Sequence, residues 1–361
     1  MATISIDLRM LYSSGIGTYS QNLVSTIIKE YPDIHFNLLG KIEELNRFPE
    51  FHNHNVNLID CRSPIYSISE QIELIKKIPK NTTLFWSPHY NIPIRYREKL
   101  LVTIHDLFHL AMPQYVGGLH KRLYANFIFK TLLSKAAAIL CVSDFTRSEI
   151  HRLAGHVRQQ IHVIHIGVAE AWSQIKPIKN PHTKPFLLFV GNVKPHKNLR
   201  RLIQAFNLIK DTIDHDLVII GKKEGFITGD DSVSKMALEL RNRVHFTGYI
   251  EDNTLKQYFA HANALVFPSL YEGFGLPPLE AMACGCPVVV SNVASLPEVC
   301  GDAALYCDPM NPQDIADKII LLLNDDALRN NLRKKGIEQA RKFTWEKCAE
   351  KTIEVINNLI N

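Results

Sequence analysis

The chain has 361 residues, of which 46% are hydrophobic and 21% charged, and a formal net charge of +5. That length suits two domains, the composition suits a globular protein with a real core, and so mild a charge demonstrates neither an acidic substrate nor an anionic surface as partner. No run approaches the roughly 18–20 apolar residues of a membrane span. The opening residues lack a basic segment followed by an apolar one, so they read as a first strand and not as a signal peptide. Seven cysteines, an odd number without Cys-x-x-Cys spacing, read as reduced core residues of a cytoplasmic protein.

In chain order, Ile4 and Ile6 alternate with polar residues and a loop runs over 9–17. From Tyr19, the positions Leu23, Val24, Ile27, Ile28 and Tyr31 keep helical spacing until Pro32 stops it. A strand, a Gly15-Ile16-Gly17 loop and a helix follow the order of a nucleotide-binding βα unit. Ser20 stands where the dinucleotide fingerprint has its third glycine, and no acidic residue closes a second strand, which argues against a nicotinamide cofactor. Strand-like runs follow at 36–39, 56–59, 83–86, 100–104, 138–142 and 161–164, with helical patterns at 68–78, 119–135 and 146–153. Such alternation predicts a mostly parallel sheet covered on both faces, whose ligands bind beyond the carboxyl ends of the strands. His89 and Tyr90 follow one strand, and His105 and Asp106 follow another. Asp106 either orients His105 or caps the loop. Aromatic and basic residues mix over 120–130, which reads as a core-packing helix with a basic edge, with an interfacial helix as the other reading.

Lysines and prolines interleave over 172–185, including Lys176, Pro177, Lys179, Pro181, Lys184 and Pro185, and read as a linker. A second alternating block has strands at 186–190, 217–220, 244–246, 264–267 and 288–290, then helices at 312–323, 326–343 and 344–359. After its first strand stands Gly191-Asn192-Val193-Lys194-Pro195-His196-Lys197-Asn198, with Asn198 a candidate N-cap and Lys197 placed to meet a diphosphate. Later comes Tyr-Glu-Gly-Phe-Gly-Leu-Pro-Pro-Leu-Glu-Ala-Met-Ala-Cys-Gly-Cys-Pro-Val-Val, with Glu272 and Glu280 eight positions apart. Pro278 suits a helix start, Gly285 its left-handed close, and Pro287 its stop. Gly273 and Gly275 let backbone N–H groups approach an anion, and the two carboxylates can accept from sugar hydroxyls.

This stretch resembles the Glu-x7-Glu signature of retaining glycosyltransferases of family four (glycosyl transferases group 1). The resemblance implies a GT-B fold of two Rossmann-like, doubly wound domains facing each other across a cleft. The first would span 1–172 with 344–361 crossing back, and the second, nucleotide-sugar-binding, 185–343. It implies a retaining, metal-independent hexosyltransferase that moves a hexose, mannose favoured, from a nucleoside-diphosphate sugar to a cell-surface glycan or lipid-linked glycan acceptor. GDP-mannose is favoured over UDP-hexose as donor, because the phosphate loop resembles that of mannosyltransferases. His105 would contact the transferred sugar and Lys197 the diphosphate, with Glu272 on the sugar hydroxyls and Glu280 on the ribose. Gly15, Gly17, Gly273, Phe274, Gly275 and Leu276 would line the donor diphosphate. Many members carry an arginine where Asn192 stands, which leaves Lys197 as the main phosphate cation. The alternatives are a GT-B sugar-nucleotide 2-epimerase and a catalytically silent sugar-nucleotide-binding partner.

The sequence has no His-Glu-x-x-His pattern, and no Asp-x-Asp pair is taken as a compact metal site, so no cofactor or metal is expected. Basic residues are scattered without interleaved aromatics, which excludes a nucleic-acid module. The expected location is cytoplasmic, with peripheral contact at the inner face of a membrane through 120–130.

Overall fold

The computed structural model describes residues 2–116, 118–176, 178–221, 231–240 and 242–361. Pro177 of the lysine-proline stretch lies outside the described residues. The chain divides into two units, Met1–Gly167 with Thr344–Asn361, and Val168–Phe343. Trp172, at the head of the expected linker, belongs to the second unit, where it is buried edge-on against Phe259 at 5.8 Å.

Unit 1 is built on a seven-stranded sheet of β1 Thr3–Asp7, β2 His35–Gly40, β3 Val56–Asp60, β4 Leu84–Ser87, β5 Leu100–Ile104, β6 Ala138–Cys141 and β7 Gln160–Val163. Its order is β3-β2-β1-β4-β5-β6-β7 and every pairing is parallel. The central strands are buried throughout, as expected for a parallel sheet covered on both faces, and this is why they read as continuous apolar runs. The order reverses between β1 and β4, which makes the loops after those strands the place for a ligand. The last helix, Trp345–Ile360, packs in this unit beside the first, Ser14–Glu30. Tyr19 and Trp345 lie 6.2 Å apart, and a Cβ on Gly167 would come 2.3 Å from the Trp345 amide.

Unit 2 carries a six-stranded parallel sheet of β8 Phe186–Val190, β9 Asp216–Ile220, β10 Val244–Gly248, β11 Ala264–Phe267, β12 Val288–Ser291 and β13 Leu305–Cys307. The order β10-β9-β8-β11-β12-β13 reverses between β8 and β11. Its core packs Leu187, Phe189, Phe206, Val266 and Ile319 together. None of the seven cysteines is in a disulfide, and burial pushes the Cys61, Cys286, Cys300, Cys307 and Cys348 thiols up to about 12, so these five are inert at neutral pH. No helix among the described residues is long and apolar enough to cross a membrane.

Candidate active site

The two loops at the switch point of unit 2 bring the predicted lysine and glutamate together. The loop after β8 ends in a single tight turn, Pro195–Lys197, and the loop after β11 carries Glu272. The amide of Leu270 donates to the His196 carbonyl at 2.7 Å and ties one loop to the other. Lys197 Nζ donates to both oxygens of Glu272, at 2.6 and 2.8 Å, and sits 5.5 Å above the Phe267 ring. The side chains are only 18% and 12% exposed, so this pair is held far more firmly than a surface ion pair. An ammonium has three N–H donors, and two are spent here, leaving one to aim elsewhere.

Asn198 does not cap the following helix with its side chain. Its backbone is left-handed, φ +61°, and the buried amide turns inward to donate to the carbonyls of Pro268 at 2.9 Å and Pro309 at 2.6 Å. It fastens the lysine loop to the glutamate loop.

The helix expected to start near Pro278 instead spans Leu276–Ala283. Gly275 precedes it at φ +111°, a conformation suited to glycine, and a Cβ there would press within 2.7 Å of Leu296 Cδ2. Two consequences follow for the anion cradle. Pro277 and Pro278 have no N–H, so the donors at this helix start narrow to Gly275 and Leu276. Glu280 falls in the second turn, beyond the first-turn position expected for it. At the other end, Gly285 is left-handed, φ +74°, and the Cys286 amide reaches back to the Ala281 carbonyl at 2.9 Å, closing the helix as expected.

Glu280 is largely buried and its carboxyl has no hydrogen bond or ion pair among the described residues. Burial, assisted by the charge of Asp252 and opposed by that of Lys256, pushes it up to about 8. At neutral pH it is a carboxylic acid that can donate one hydrogen bond and accept others. Ser295 was not foreseen. Fully buried, its hydroxyl lies 2.9 Å from the Glu272 carbonyl and 2.7 Å from that of Phe274, and it clamps the glutamate loop from beneath. A serine shortly after a buried strand and two residues before a proline was the only available signal.

In unit 1, His105 stands just beyond β5. Its Nε2–H donates to the Pro88 carbonyl at 2.8 Å, and its ring lies 4.7 Å from that of Tyr19, edge to face. Burial pushes its pKa down to about 4, so the ring is neutral and Nδ1 is an acceptor. Asp106 does not orient it, because its carboxylate caps the next turn by accepting from the Phe108 amide at 2.9 Å.

Gly15 and Gly17 were expected in a loop before a helix from Tyr19, but the helix begins at Ser14 and both lie in its first turn. The two differ. A Cβ on Gly17 would lie 2.5 Å from the Leu11 carbonyl oxygen, so that glycine permits the chain's own packing. A Cβ on exposed Gly15 meets nothing within 4 Å.

Beneath this rim lies a buried charged network that sequence reasoning missed. Arg9 grips Asp7 at 2.8 and 2.6 Å and approaches Glu70 at 3.4 Å, all three side chains being at most 2% exposed. Burial alone would push Asp7 up, but the Arg9 guanidinium holds it well below the usual carboxylate range. At the opposite end of unit 2's sheet, where β9 and β10 begin, Asp216 accepts from His182 at 2.8 Å and His245 at 3.1 Å. These three could hold a metal by geometry; they come from three segments, although Asp216 ends the Asp-x-Asp stretch Asp214-His215-Asp216, which the sequence reading passed over. Arg243 at 3.1 Å and Lys184 at 3.9 Å already face the same carboxylate and oppose a further cation.

The Glycosyltransferase Family 4 model matches residues 53–172 and the Glycosyl transferases group 1 model residues 170–342. The chain is similar to O-antigen chain mannosyltransferase B of Escherichia coli, 34% identical over 286 residues, covering 75% of this chain and 73% of that protein. It is similar at 28% identity to the serotype-specific mannosyltransferase WbdA of Escherichia coli, where 76% of this chain matches 34% of that protein, so it spans about a third of that relative. Among solved structures, sucrose-phosphate synthase from Thermosynechococcus elongatus superposes with a TM-score of 0.81 at 20% identity, over 99% of each chain. The fold is GT-B. With two family models matched in series and a relative 34% identical over most of its length, the chain belongs to the glycosyl transferases group 1 family of glycosyltransferases.

Proposed function

We propose that this glycosyltransferase moves a mannosyl group from GDP-mannose to a growing cell-surface glycan, with retention of configuration and without a metal ion. The observation that carries the reading is the Lys197–Glu272 pair, fixed on two loops at the switch point of unit 2 beside the amides of Gly275 and Leu276. The remaining N–H of Lys197 and those amides meet the donor diphosphate, and in unit 1 the open first turn at Gly15 offers backbone N–H groups of its own. Glu272 accepts from sugar hydroxyls, and the protonated Glu280 both donates to and accepts from the ribose diol. In unit 1, neutral His105 offers Nδ1 as an acceptor for a sugar hydroxyl.

In the transfer, the bond from the anomeric carbon to the diphosphate oxygen breaks as the acceptor hydroxyl attacks from the same face. The acceptor proton passes to the departing diphosphate. Contacts that strengthen as charge gathers on that diphosphate lower the barrier, and the lysine and backbone amides supply them where a metal would otherwise stand. Similarity to O-antigen chain mannosyltransferase B supports mannose and a glycan acceptor over the 2-epimerase reading, and the intact pair argues against a silent partner.

A peripheral membrane contact on the cytoplasmic side belongs to the same reading. The helix Leu119–Lys135 buries Ala125, Ile128, Phe129 and Leu132, as a core-packing helix does, while Leu123 and Phe127 are 61% and 54% exposed beside Arg122 and Lys130. Flotation with anionic liposomes at low and high salt tests it. The main test is transfer from GDP-mannose and UDP-glucose to mannosyl oligosaccharides in chelator, with the product anomer read by NMR. An α-mannoside from GDP-mannose is expected. A free epimerised sugar, or an inverted product, overturns the reading.

A further inference from the structure

Tyr66 occupies a backbone conformation that tyrosine avoids. Its φ is +68°, in the left-handed region where Cβ crowds the backbone and where asparagine, aspartate and glycine are the usual residents. The surroundings hold it there. Its N–H donates to Glu70 Oε2 at 2.7 Å, and that fully buried carboxylate is itself fixed by Gln71 at 3.0 Å, by the Asn91 amide and by Arg9. The same Asn91 accepts the Tyr124 hydroxyl at 2.8 Å, so one buried carboxylate sets both the backbone of Tyr66 and, through Asn91, the ring of Tyr124.

What is held so firmly is not buried. Tyr66 is 49% exposed, with Tyr124 edge-on at 5.9 Å and Tyr90 tilted at 32° and 6.4 Å. Core packing does not account for a ring left half in water, and an ordinary surface residue has no use for a strained backbone clamped by a buried charge. Tyr90 lies just beyond β4, and β5, which carries His105, is the next strand, so the cluster sits on the rim of the sheet that bears His105.

A half-exposed aromatic ring backed by two further tyrosines matches a pyranose, which has an apolar C–H face. We propose that Tyr66, with Tyr90 and Tyr124, is a stacking subsite for a pyranose ring of the acceptor glycan, and that Glu70 is its positioning residue. This rests on the reading that the acceptor is a glycan.

The test uses Tyr66→Asn, which suits the left-handed backbone, and Tyr66→Phe, which keeps the ring face, with mannotriose as acceptor probe and donor affinity measured by calorimetry. Tyr66→Asn is expected to melt at or above the wild-type temperature, bind donor as before, and raise the KM for mannotriose about tenfold or more. Tyr66→Phe is expected to stay close to wild type. An unchanged mannotriose KM in Tyr66→Asn, with the wild type transferring to mannotriose, overturns the subsite and leaves the glycan reading standing. Equal loss in Tyr66→Phe overturns stacking in favour of the hydroxyl. A wild type that turns over donor yet transfers to no saccharide overturns both.

Discussion

Replacing Glu280 with glutamine should change how stability depends on pH. In the folded chain the carboxyl titrates near 8, whereas the free side chain does so near 4.5. Between those values the native state holds a proton that the unfolded state has released, so stability falls as pH rises through this window and levels off above about 8. The displacement sets a ceiling of about 5 kcal/mol. Water reaching the incompletely buried group brings the expected loss to roughly 1–3 kcal/mol. Glutamine keeps the shape and cannot ionise, so Glu280→Gln should lose correspondingly less stability over the same range. Urea unfolding of both proteins in steps from pH 5 to pH 9 reads the difference directly. Nucleotide affinity adds a second signature: near neutral pH glutamine mimics the protonated acid and the difference is small, and above pH 8 the wild type, with a carboxylate that can no longer donate to the diol, should weaken while the glutamine variant holds. Parallel stability profiles for the two proteins would refute the buried, protonated Glu280.

Lys197→Ala should weaken nucleoside-diphosphate binding by roughly 1.5–3 kcal/mol, the worth of one charge-assisted contact; undiminished affinity by calorimetry would remove Lys197 from the donor site. Ser295→Ala should cost about 1–3 kcal/mol of stability by removing the hydroxyl that bonds the carbonyls of Glu272 and Phe274, and should raise the donor KM as the glutamate loop slackens; a variant with wild-type melting temperature and KM denies the clamp. Turnover should survive exhaustive chelation if, as proposed, the lysine and loop amides stand in for a cation. Activity lost in chelator and restored by magnesium or manganese would contradict that.

The strands were legible because parallel strands buried on both faces read as continuous apolar runs. The edge strand β13, Leu305-Tyr306-Cys307, is three residues long with two of them only partly buried, too short for any pattern to show. The helix start at Ser14 escaped for a different reason. Glycine and serine are poor helix formers, and what admits them there is the close passage of Gly17 against the Leu11 carbonyl, a tertiary fact without a local signature. Lys197 and Glu272 were each visible from their motifs, but 75 residues separate them and their mutual hydrogen bonds were not predictable. Likewise Asp7, Arg9, Glu70 and Asn91 come from three segments whose meeting depends on the order of β1 and β4 in the sheet.

The two glutamates of the signature show what spacing leaves undecided. Eight positions apart in sequence, they fall into opposite electrostatic settings. Glu272 has an ammonium against both oxygens and a serine clamping its backbone, so it is a fixed acceptor whose cation, on the proposed reading, also meets the diphosphate. Glu280, partly buried on the helix that follows, has no hydrogen-bond or ion-pair partner among the described residues and keeps its proton at neutral pH. Environments that push like groups apart assign them different tasks. The one suits hydroxyls around a reacting carbon, where charge shifts during transfer. The other suits a diol that only has to be recognised, where a neutral acid can donate as well as accept.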